Sequence, residues 1–555
     1  MKILILGGYG VFGGRLAELL SDIPEIHMLI CGRSLDRATQ FCDTFQGAAT
    51  VQPVQLDRGA LDQHMDRLRP DLVIDASGPF QQYGDEGYVV IAACLRFKVS
   101  YLDLADAAEF VFGVSQFDQA AKDAGIFILS GVSSFPVLTA AVLREVSKTM
   151  TVETVHGGIA PSPYAGIGLN VMRAVLGYAG GPVKLTRDGM HITARGLTES
   201  KRYTIAVPGH LPLKNIRFSL VDVPELQVLP PEFPELKTIW MGAGPVPEIL
   251  HRMLNLLARA RATFNLPSFV TLAPLFYKVL NLMRFGEHRG GMFVHVTGQR
   301  DGVTTERSWH LLAEGDDGPY IPSMAIETIV RKHLNAEPPE QGARPATQAL
   351  TLADYQAQFD KRTIFMGFRD PPKTTAPLYR QVLAGAFDRL PPQVQALHDD
   401  TAARTWAGTA TVQRGTGILS KALGKLIGLP KETDHCPVKV QFDPHKGGER
   451  WTRTFGTKSF SSLQFPGTGR NAQLLVERFG PIDVALALVL EDDKLFLIPR
   501  RWSLLGIPLP NMFLPAGKSY EMQKDGKFHF DVEISAPLIG LIAAYQGVLT
   551  LSPQP

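Results

Sequence analysis

Cysteine is scarce in this chain of 555 residues, and what there is lies scattered. The four cysteines, Cys31, Cys42, Cys94 and Cys436, fall in no C-x-x-C or Cys/His spacing. That excludes a disulfide framework and a recognisable zinc centre, and suits a reduced, cytoplasmic setting with no metal. Net charge is nearly absent as well. Lys+Arg 56 against Asp+Glu 54 leaves +2, which gives no electrostatic case for nucleic acid. No apolar run is long and unbroken enough for a transmembrane helix. The most apolar late segment, residues 536–551, is interrupted by Tyr545, Gln546 and two glycines, Gly540 and Gly547. It reads as buried strand, with peripheral membrane contact as the alternative. A first strand that starts at residue 2 leaves no place for a signal peptide. The remainder, 45% hydrophobic and 20% charged, is ordinary globular composition, and the length calls for about two to four domains.

What is present begins at once. Residues 2–14 read KILILGGYGVFGG. An apolar run fit for a fully buried parallel strand is followed by Gly7, Gly8, Gly10, Gly13 and Gly14, then by apolar residues at helical spacing. Strand, glycine turn and helix form the context of a dinucleotide site. Gly8, Gly10 and Gly13 fit G-x-G-x-x-G; Gly7, Gly10 and Gly13 fit the looser G-x-x-G-x-x-G. In either register the glycines permit a tight turn, close backbone approach to a pyrophosphate and close helix–strand packing. The phosphates would sit on the free N–H groups of the helix start, so Tyr9, Val11 and Phe12 join the glycines as candidate cofactor residues. The other reading is a tight turn that binds nothing.

One further absence bears on the cofactor. The second strand, 26–30, ends in Cys31-Gly32-Arg33-Ser34, with no acid to take the ribose hydroxyls of NAD. Arg33 and Ser34 suit the 2′-phosphate of NADP, so NADP is favoured over NAD. Arg33 as a solvated loop residue is the alternative. A helix over 36–45, a strand over 51–56 ending at Asp57, a strand over 72–76, a helix over 88–97, a strand over 99–104, a helix over 117–123 and a strand over 125–129 follow. Asp57 suits an adenine contact or a helix cap equally well. Ala76, Ser77, Gly78, Pro79 and Phe80 leave the fourth strand at the sheet edge that faces the ligand in open α/β folds. Residues 131–136, GVSSFP, leave the sixth at the same edge. The alternation predicts a Rossmann-type doubly wound parallel sheet.

GGYGVFGG, CGRS, VIDASGPFQQYG, YLDLAD and GVSSFP, in this order, resemble the saccharopine dehydrogenase-like NADP-binding domain. The resemblance covers about residues 1–147. It implies an NADP-type cofactor with Gly78, Pro79 and Phe80 toward the nicotinamide. It also implies a second α/β domain, 148–370, that closes over the substrate. Members oxidise or reduce C–N or C–C bonds in amino-acid conjugates, polyamine precursors or lipid-like enoyl groups, so a small-molecule or lipid-like substrate is implied; a homodimer is left open. In the second domain a strand is expected over 152–159, a helix over 167–177, and strands over 293–298 and 308–313. Residues 250–277 are apolar, with Arg252, Arg259, Arg261 and Lys278 in or just beyond them. A lid over an apolar substrate or a membrane-surface helix fits this pattern. A core-packed helix pair broken at Pro267 and Pro274 is the favoured reading. Helix 352–359 is expected to return to the first domain.

Residues 369–377 read as a linker. Beyond it come helices over 378–390, 394–398 and 419–427, and short strands over 405–414, 438–442, 450–455, 473–479, 484–490, 494–500, 528–534 and 542–551. Such a run predicts an antiparallel barrel or strongly curved sheet for 377–555. GERWTRTF, LVERFGP, RRWSLLGIPLP and FHFDVEI resemble an uncharacterised C-terminal domain family found fused to saccharopine dehydrogenase-like proteins. Trp406, Trp451 and Trp502 are expected to fill the barrel core rather than line a ligand cavity. Arg450, Arg453, Arg500 and Arg501 are expected as solvated sheet-face residues. Asp443 and His445 fall in an expected hairpin turn.

Hydride transfer also needs a proton carrier. Tyr83, Asp103, Asp106 and His156 are candidates, and none has a signature spacing such as Tyr-x-x-x-Lys. Three functions therefore stand side by side: an NADP-dependent oxidoreductase, a nucleotide-binding scaffold without turnover, and an apolar-ligand binder acting through the last domain.

Overall fold

The computed structural model describes every residue except Ile167, Arg284, Pro372, Thr374, 427–430, Leu538 and 553–555. Parts of four expectations lie outside the described residues: Ile167 of helix 167–177, Pro372 and Thr374 of the linker, Ile427 of helix 419–427, and the last residues of the third domain. The chain forms two compact units, Met1–Tyr203 with Ile216–Met366, and Thr204–Asn215 with Gly367–Pro555.

The first unit opens on a parallel sheet of β1 (Lys2–Leu6), β2 (His27–Gly32), β3 (Thr50–Gln55), β4 (Leu72–Asp75), β5 (Ser100–Asp103) and β6 (Phe127–Ser130). The order is β6-β5-β4-β1-β2-β3, and every pairing is parallel. The chain reverses direction of growth between β1 and β4, so the turn after β1 lies at the switch point where such sheets bind nucleotides. Ile3, Leu4 and Ile5 are wholly buried, as a central parallel strand covered on both faces requires. Helix α1 (Val11–Leu19) follows β1 and buries Gly13, Gly14, Leu16, Ala17 and Leu19. Helix α2 (Leu35–Thr44) follows β2.

The rest of the unit carries a mixed sheet. Its strands are β7 (Thr151–Ala160), β10 (Ser200–Tyr203), β11 (Ile216–Leu220), β12 (Thr238–Ala243), β13 (Arg289–Arg300), β14 (Val303–Glu314) and β16 (Ile364–Arg369), in the order β10-β11-β12-β7-β13-β14-β16. Strands β8 (Pro182–Arg187) and β9 (Met190–Arg195) pair separately. Helix α3 (Leu169–Tyr178) replaces the expected 167–177 with a shift of two residues at its start. Helices α4 (Glu248–Phe264), α5 (Ala273–Leu282) and α6 (Ile321–Leu334) complete the part that matters for the site. The return to the first sheet runs further than helix 352–359. Strand β15 (Gly342–Pro345) pairs with β6 as a seventh parallel strand, and the Arg144 guanidinium donates to the carbonyls of Thr347 and Leu350. Four residues are too few for hydrophobic periodicity to announce a strand.

The second unit is a closed barrel. Strands β17 (Arg404–Arg414), β18 (Thr433–His445), β19 (Gly448–Phe455), β20 (Lys458–Pro466), β21 (Leu475–Phe479), β22 (Ile482–Glu491), β23 (Lys494–Leu504), β25 (Tyr520–Lys524), β26 (Lys527–Ala536) and β27 (Gly540–Leu551) form an antiparallel ring that β22 and β23 close; β24 (Ile507–Pro508) hangs from β23. Strands β20 and β25 lie outside the expected set: β25 is short and polar, and the serines and glutamine of β20 break up its apolar pattern. The helical stretch 378–390 is split: α7 (Leu378–Leu383) ends where Ala384 turns to φ +50, and a 3-10 turn follows. With α8 (Pro392–His398) it sends Leu378, Tyr379, Leu383, Val394 and Leu397 into the barrel core.

Trp406 and Trp451 lie in that core, but Trp502 does not: its indole N–H donates to the Pro510 carbonyl at the surface. Arg453 also departs from expectation. It points inward from β19 and pairs with Glu477 at 3.0 Å, because 449, 451, 453 and 455 alternate onto the inner face while Arg450 stays exposed. Asp443 and His445 end strand β18 rather than forming the turn.

Candidate functional site

Gly7 begins the turn after β1 with φ +71, and a Cβ there would stand 2.7 Å from the Ala76 carbonyl oxygen. Left-handed backbone and close approach both demand glycine. A Cβ on Gly13 would stand 2.3 Å from the Gly7 oxygen, and one on Gly10 2.9 Å from the same atom. The turn is thus folded tightly against the first turn of α1 and against the end of β4. Helix α1 has Gly10 at its N-cap, no side-chain cap and no acid in its first turn. Its leading amides and its positive dipole end are left for an anion.

The end of β2 forms the next wall. Tyr9 reaches across it: its hydroxyl accepts from the Ser34 amide at 3.1 Å, and its ring fills the space a side chain at Gly32 would need. Ser34 caps α2 by accepting from the Arg37 amide. Arg33 is exposed, and Arg37 lies over the Tyr9 ring at 5.0 Å. Two guanidiniums stand here, with Asp36 beside them in the first turn of α2. Arg37 was missed, though its place in the first turn of the helix after β2 was a usable signal. Asp57 caps a 3-10 turn, accepting from the Gly59 amide at 3.0 Å.

The end of β4 is a buried polar network. Asp75 is fully buried; it pairs with Arg58 at 2.9 Å and accepts from the Ser77 amide and hydroxyl. The Ser77 hydroxyl also meets the Tyr83 hydroxyl at 3.1 Å, and Arg58 stacks over the Tyr83 ring at 4.0 Å. Burial first, then the Asp75 charge, pushes the Tyr83 phenol up from its ordinary value. Ala76 and Ser77 lie against the glycine turn; the Gly78 carbonyl accepts from Asn170 on α3 at 2.7 Å. Pro79 leads into a 3-10 turn in which the Phe80 ring is buried against Tyr83 and Phe110, so only its backbone remains for a ligand.

The remaining acid/base candidates separate. Asp103 is buried and pins two loops by accepting from the amides of Ala105 and Gly131; burial pushes its carboxyl up to about 7 against those bonds. His156 sits on β7, bonded to the Lys201 ammonium at 2.6 Å and set against Trp240. Burial, then Lys201, lowers its imidazole to about 4. Asp106 alone faces open space. Its carboxyl accepts from Gln81 at 3.0 Å and is raised by the protein around it.

That space is a cavity of about 540 Å³. Val11, Phe12 and Arg15 of α1, and Ser133, Ser134 and Phe135 of the loop after β6, form one side; the ends of β7 and β13 and helices α3, α4 and α5 form the rest. Its surface is overwhelmingly apolar, with Met172, Val175, Leu254, Phe276, Leu280 and Met292 among the lining residues. The titratable exceptions are Arg15, Asp106, Asp222, Tyr178 and His251. Burial, then Glu109 and Asp106, raises Asp222 to about 6. His251 is only 2% exposed and lies against the Arg217 backbone. Burial, then Arg217, lowers its imidazole to about 4, so it is neutral near pH 7. Asp222 and His251 were missed in the sequence because only tertiary packing brings them to this wall.

Residues 3–129 match the family model described as the saccharopine dehydrogenase NADP binding domain, and residues 390–549 match a domain of unknown function, DUF4166. The first domain is a saccharopine dehydrogenase-type NADP-binding domain. The match supports NADP as the nucleotide of this domain and supports an oxidoreductase. No curated protein matches the chain. Solved structures similar to it include apo histidine-tagged saccharopine dehydrogenase (L-Glu forming) from Saccharomyces cerevisiae, 14% identical over 66% of this chain and 99% of that one, with a TM-score of 0.47. Amine dehydrogenase from Mycobacterium smegmatis is 10% identical over 62% and 94%, with a TM-score of 0.32. A probable dehydrogenase from Thermotoga maritima is 11% identical over 67% and 98%, also with a TM-score of 0.32. Among the described residues no helix is long and apolar enough to cross a membrane.

Proposed function

We propose that the protein is an NADP-dependent oxidoreductase whose substrate is a small molecule with an apolar body, held in the 540 Å³ cavity. The observation that carries this is shared walls: the first turn of α1 lines the cavity and also presents the uncapped amides after the glycine turn. In this reading residues 1–147 bind nucleotide, 148–370 bind substrate, and 377–555 are the barrel domain. Gly7, Gly8, Tyr9, Gly10, Val11, Phe12 and Gly13 hold the pyrophosphate through backbone amides. Arg33 and Arg37, with the Ser34 hydroxyl, hold the 2′-phosphate. Ala76, Ser77, Gly78 and Pro79 approach through backbone. The cofactor supplies or accepts the hydride. The protein positions the substrate, excludes water with apolar walls, and carries a proton on Asp106, Asp222 or His251, the titratable groups that face the cavity. Tyr83 and His156 are then structural, since their hydrogen bonds are made within the protein, and Asp103 is structural because it is fully buried and pins two loops.

Fluorescence titration with NADPH and NADH tests the nucleotide half. NADPH is expected to bind more tightly, and Gly10→Val to abolish binding of both. Absence of binding by either nucleotide sinks the proposal. Binding without hydride loss across panels of apolar amines, imines and enoyl compounds would leave the non-catalytic scaffold, the reading favoured by how completely Tyr83 and Asp103 are tied up.

A further inference from the structure

Helices α4 and α5 have two working faces. On α4 the inward stripe His251, Leu254, Asn255 and Ala258 is buried over the cavity and the small core beside it. The opposite stripe is apolar as well and open: Ile249, Met253, Leu256 and Phe264 are exposed, the last two at 69% and 73%. Leu266, Leu272, Leu275, Leu282 and Phe285 continue the exposed apolar surface through the connection and along α5, Leu282 at 84%. The favoured expectation of a core-packed pair is therefore only half met. An apolar stripe identifies a buried face, but here the helices carry two, and one has nothing against it. Met253 and Leu275 belong to both surfaces: each lines the cavity and each is exposed. The cavity therefore opens between the helices onto the apolar patch.

The charge of the patch has one sign. Residues 249–286 hold five Lys/Arg and no Asp or Glu. At the start of α4 the single carboxylate of Glu248 pairs with Arg202 and Arg252, and Arg217 and Arg259 lie in the same field. On the helices themselves Arg252, Arg259 and Lys278 are exposed, which puts positive charge beside the exposed leucine and phenylalanine. A second copy of this chain is a poor occupant, since a two-fold interface would set these cations against themselves. Apolar side chains rimmed by cations are the complement of an anionic lipid surface.

We propose that α4 and α5 dock on the surface of an anionic lipid bilayer, with the mouth of the cavity facing the acyl layer. Leu256, Phe264 and Leu282 insert, and the arginines meet lipid phosphates. Docking requires no turnover, so it stands or falls apart from the oxidoreductase reading. Where both hold, an apolar substrate enters the cavity from the membrane without crossing water.

Flotation of the full chain with vesicles tests this. The protein is expected to float with phosphatidylcholine vesicles that contain phosphatidylglycerol, weakly with phosphatidylcholine alone, and less as salt rises. The triple variant Leu256→Asp, Phe264→Asp, Leu282→Asp, none of which lines the cavity, should partition at least about tenfold less. Unchanged NADPH titration by that variant shows the fold intact. A second variant, Arg259→Gln with Lys278→Gln, keeps the apolar face and should lose the preference for anionic lipid. No flotation of the wild type overturns the proposal, as does equal flotation of wild type and triple variant. Self-association of the wild type that the triple variant abolishes, without flotation, assigns the face to a second copy instead. Loss of flotation only on Ile507→Asp with Met512→Asp, in the exposed hairpin of the barrel, moves the contact there and likewise overturns it.

Discussion

The two compact units differ in how consistently a buried carboxyl group is given a basic partner. In the barrel each has a basic side chain against it: Arg404 with Glu449 at 3.2 Å, Arg453 with Glu477, and His398 with Glu521 at 2.6 Å, the imidazole stacked on Tyr379. In the first unit Asp75 has Arg58 and Glu327 has Arg331, but Asp103 and Glu225 have only hydrogen bonds, from backbone amides and from the Thr139 hydroxyl at 2.9 Å. Burial raises Asp103 to about 7 and Glu225 to about 8. A closed barrel has no open strand edge at which an inward polar group can meet solvent, so it is neutralised in place by a partner. The parallel sheet gathers its polar groups at one edge, where a proton can neutralise them as well.

The largest effect expected from breaking this contrast is in the barrel. Arg404→Met leaves Glu449 buried without its cation and should cost about 3–5 kcal/mol in urea unfolding of the barrel; adding Glu449→Met should recover most of it. An unchanged midpoint would show that the pair is solvated. Glu225→Gln comes next. The folded-state pKa of Glu225 is raised, so the folded protein holds the proton between about 4.5 and 8, and stability falls as pH rises through that window. The slope is at most about 1.4 kcal/mol per pH unit. The glutamine variant should match the wild type near pH 5 and exceed it by about 2 kcal/mol or more at pH 8, read as urea midpoints. Asp103→Asn keeps both backbone acceptor contacts and should flatten the corresponding window from about 4 to 7, a slightly smaller gain. The smallest stability effect is expected for an exposed charge: Arg33→Glu should change stability by no more than about 0.5 kcal/mol. It should still lower the NADPH to NADH preference by roughly tenfold, and an unaltered ratio in paired titrations would remove Arg33 from the phosphate site.

Legibility followed the range of the constraint. The glycine turn could be read because its requirement is local: Gly7 and Gly13 answer to atoms within a few residues or on the next strand. The missing acid after β2 was legible for the same reason. Asp57 could not be decided, because a cap and an adenine contact ask for the same side chain at the same place. Arg453 was misread as solvated because alternation defines two faces without saying which is inside. Strand β15 and the residues Asp222 and His251 left no local mark.

Sequence alone determined the parallel sheet, its nucleotide turn, the basic corner after β2 and the β-rich character of the last domain. Each follows from the periodicity of burial or from backbone sterics, which neighbouring residues express among themselves. Tertiary structure alone decided that ten strands close into a ring, that Asp106, Asp222 and His251 share a cavity, and that the second apolar stripe of α4 faces outward. Those outcomes depend on which surfaces meet across long stretches of chain, and a hydrophobic side chain carries no record of what will cover it.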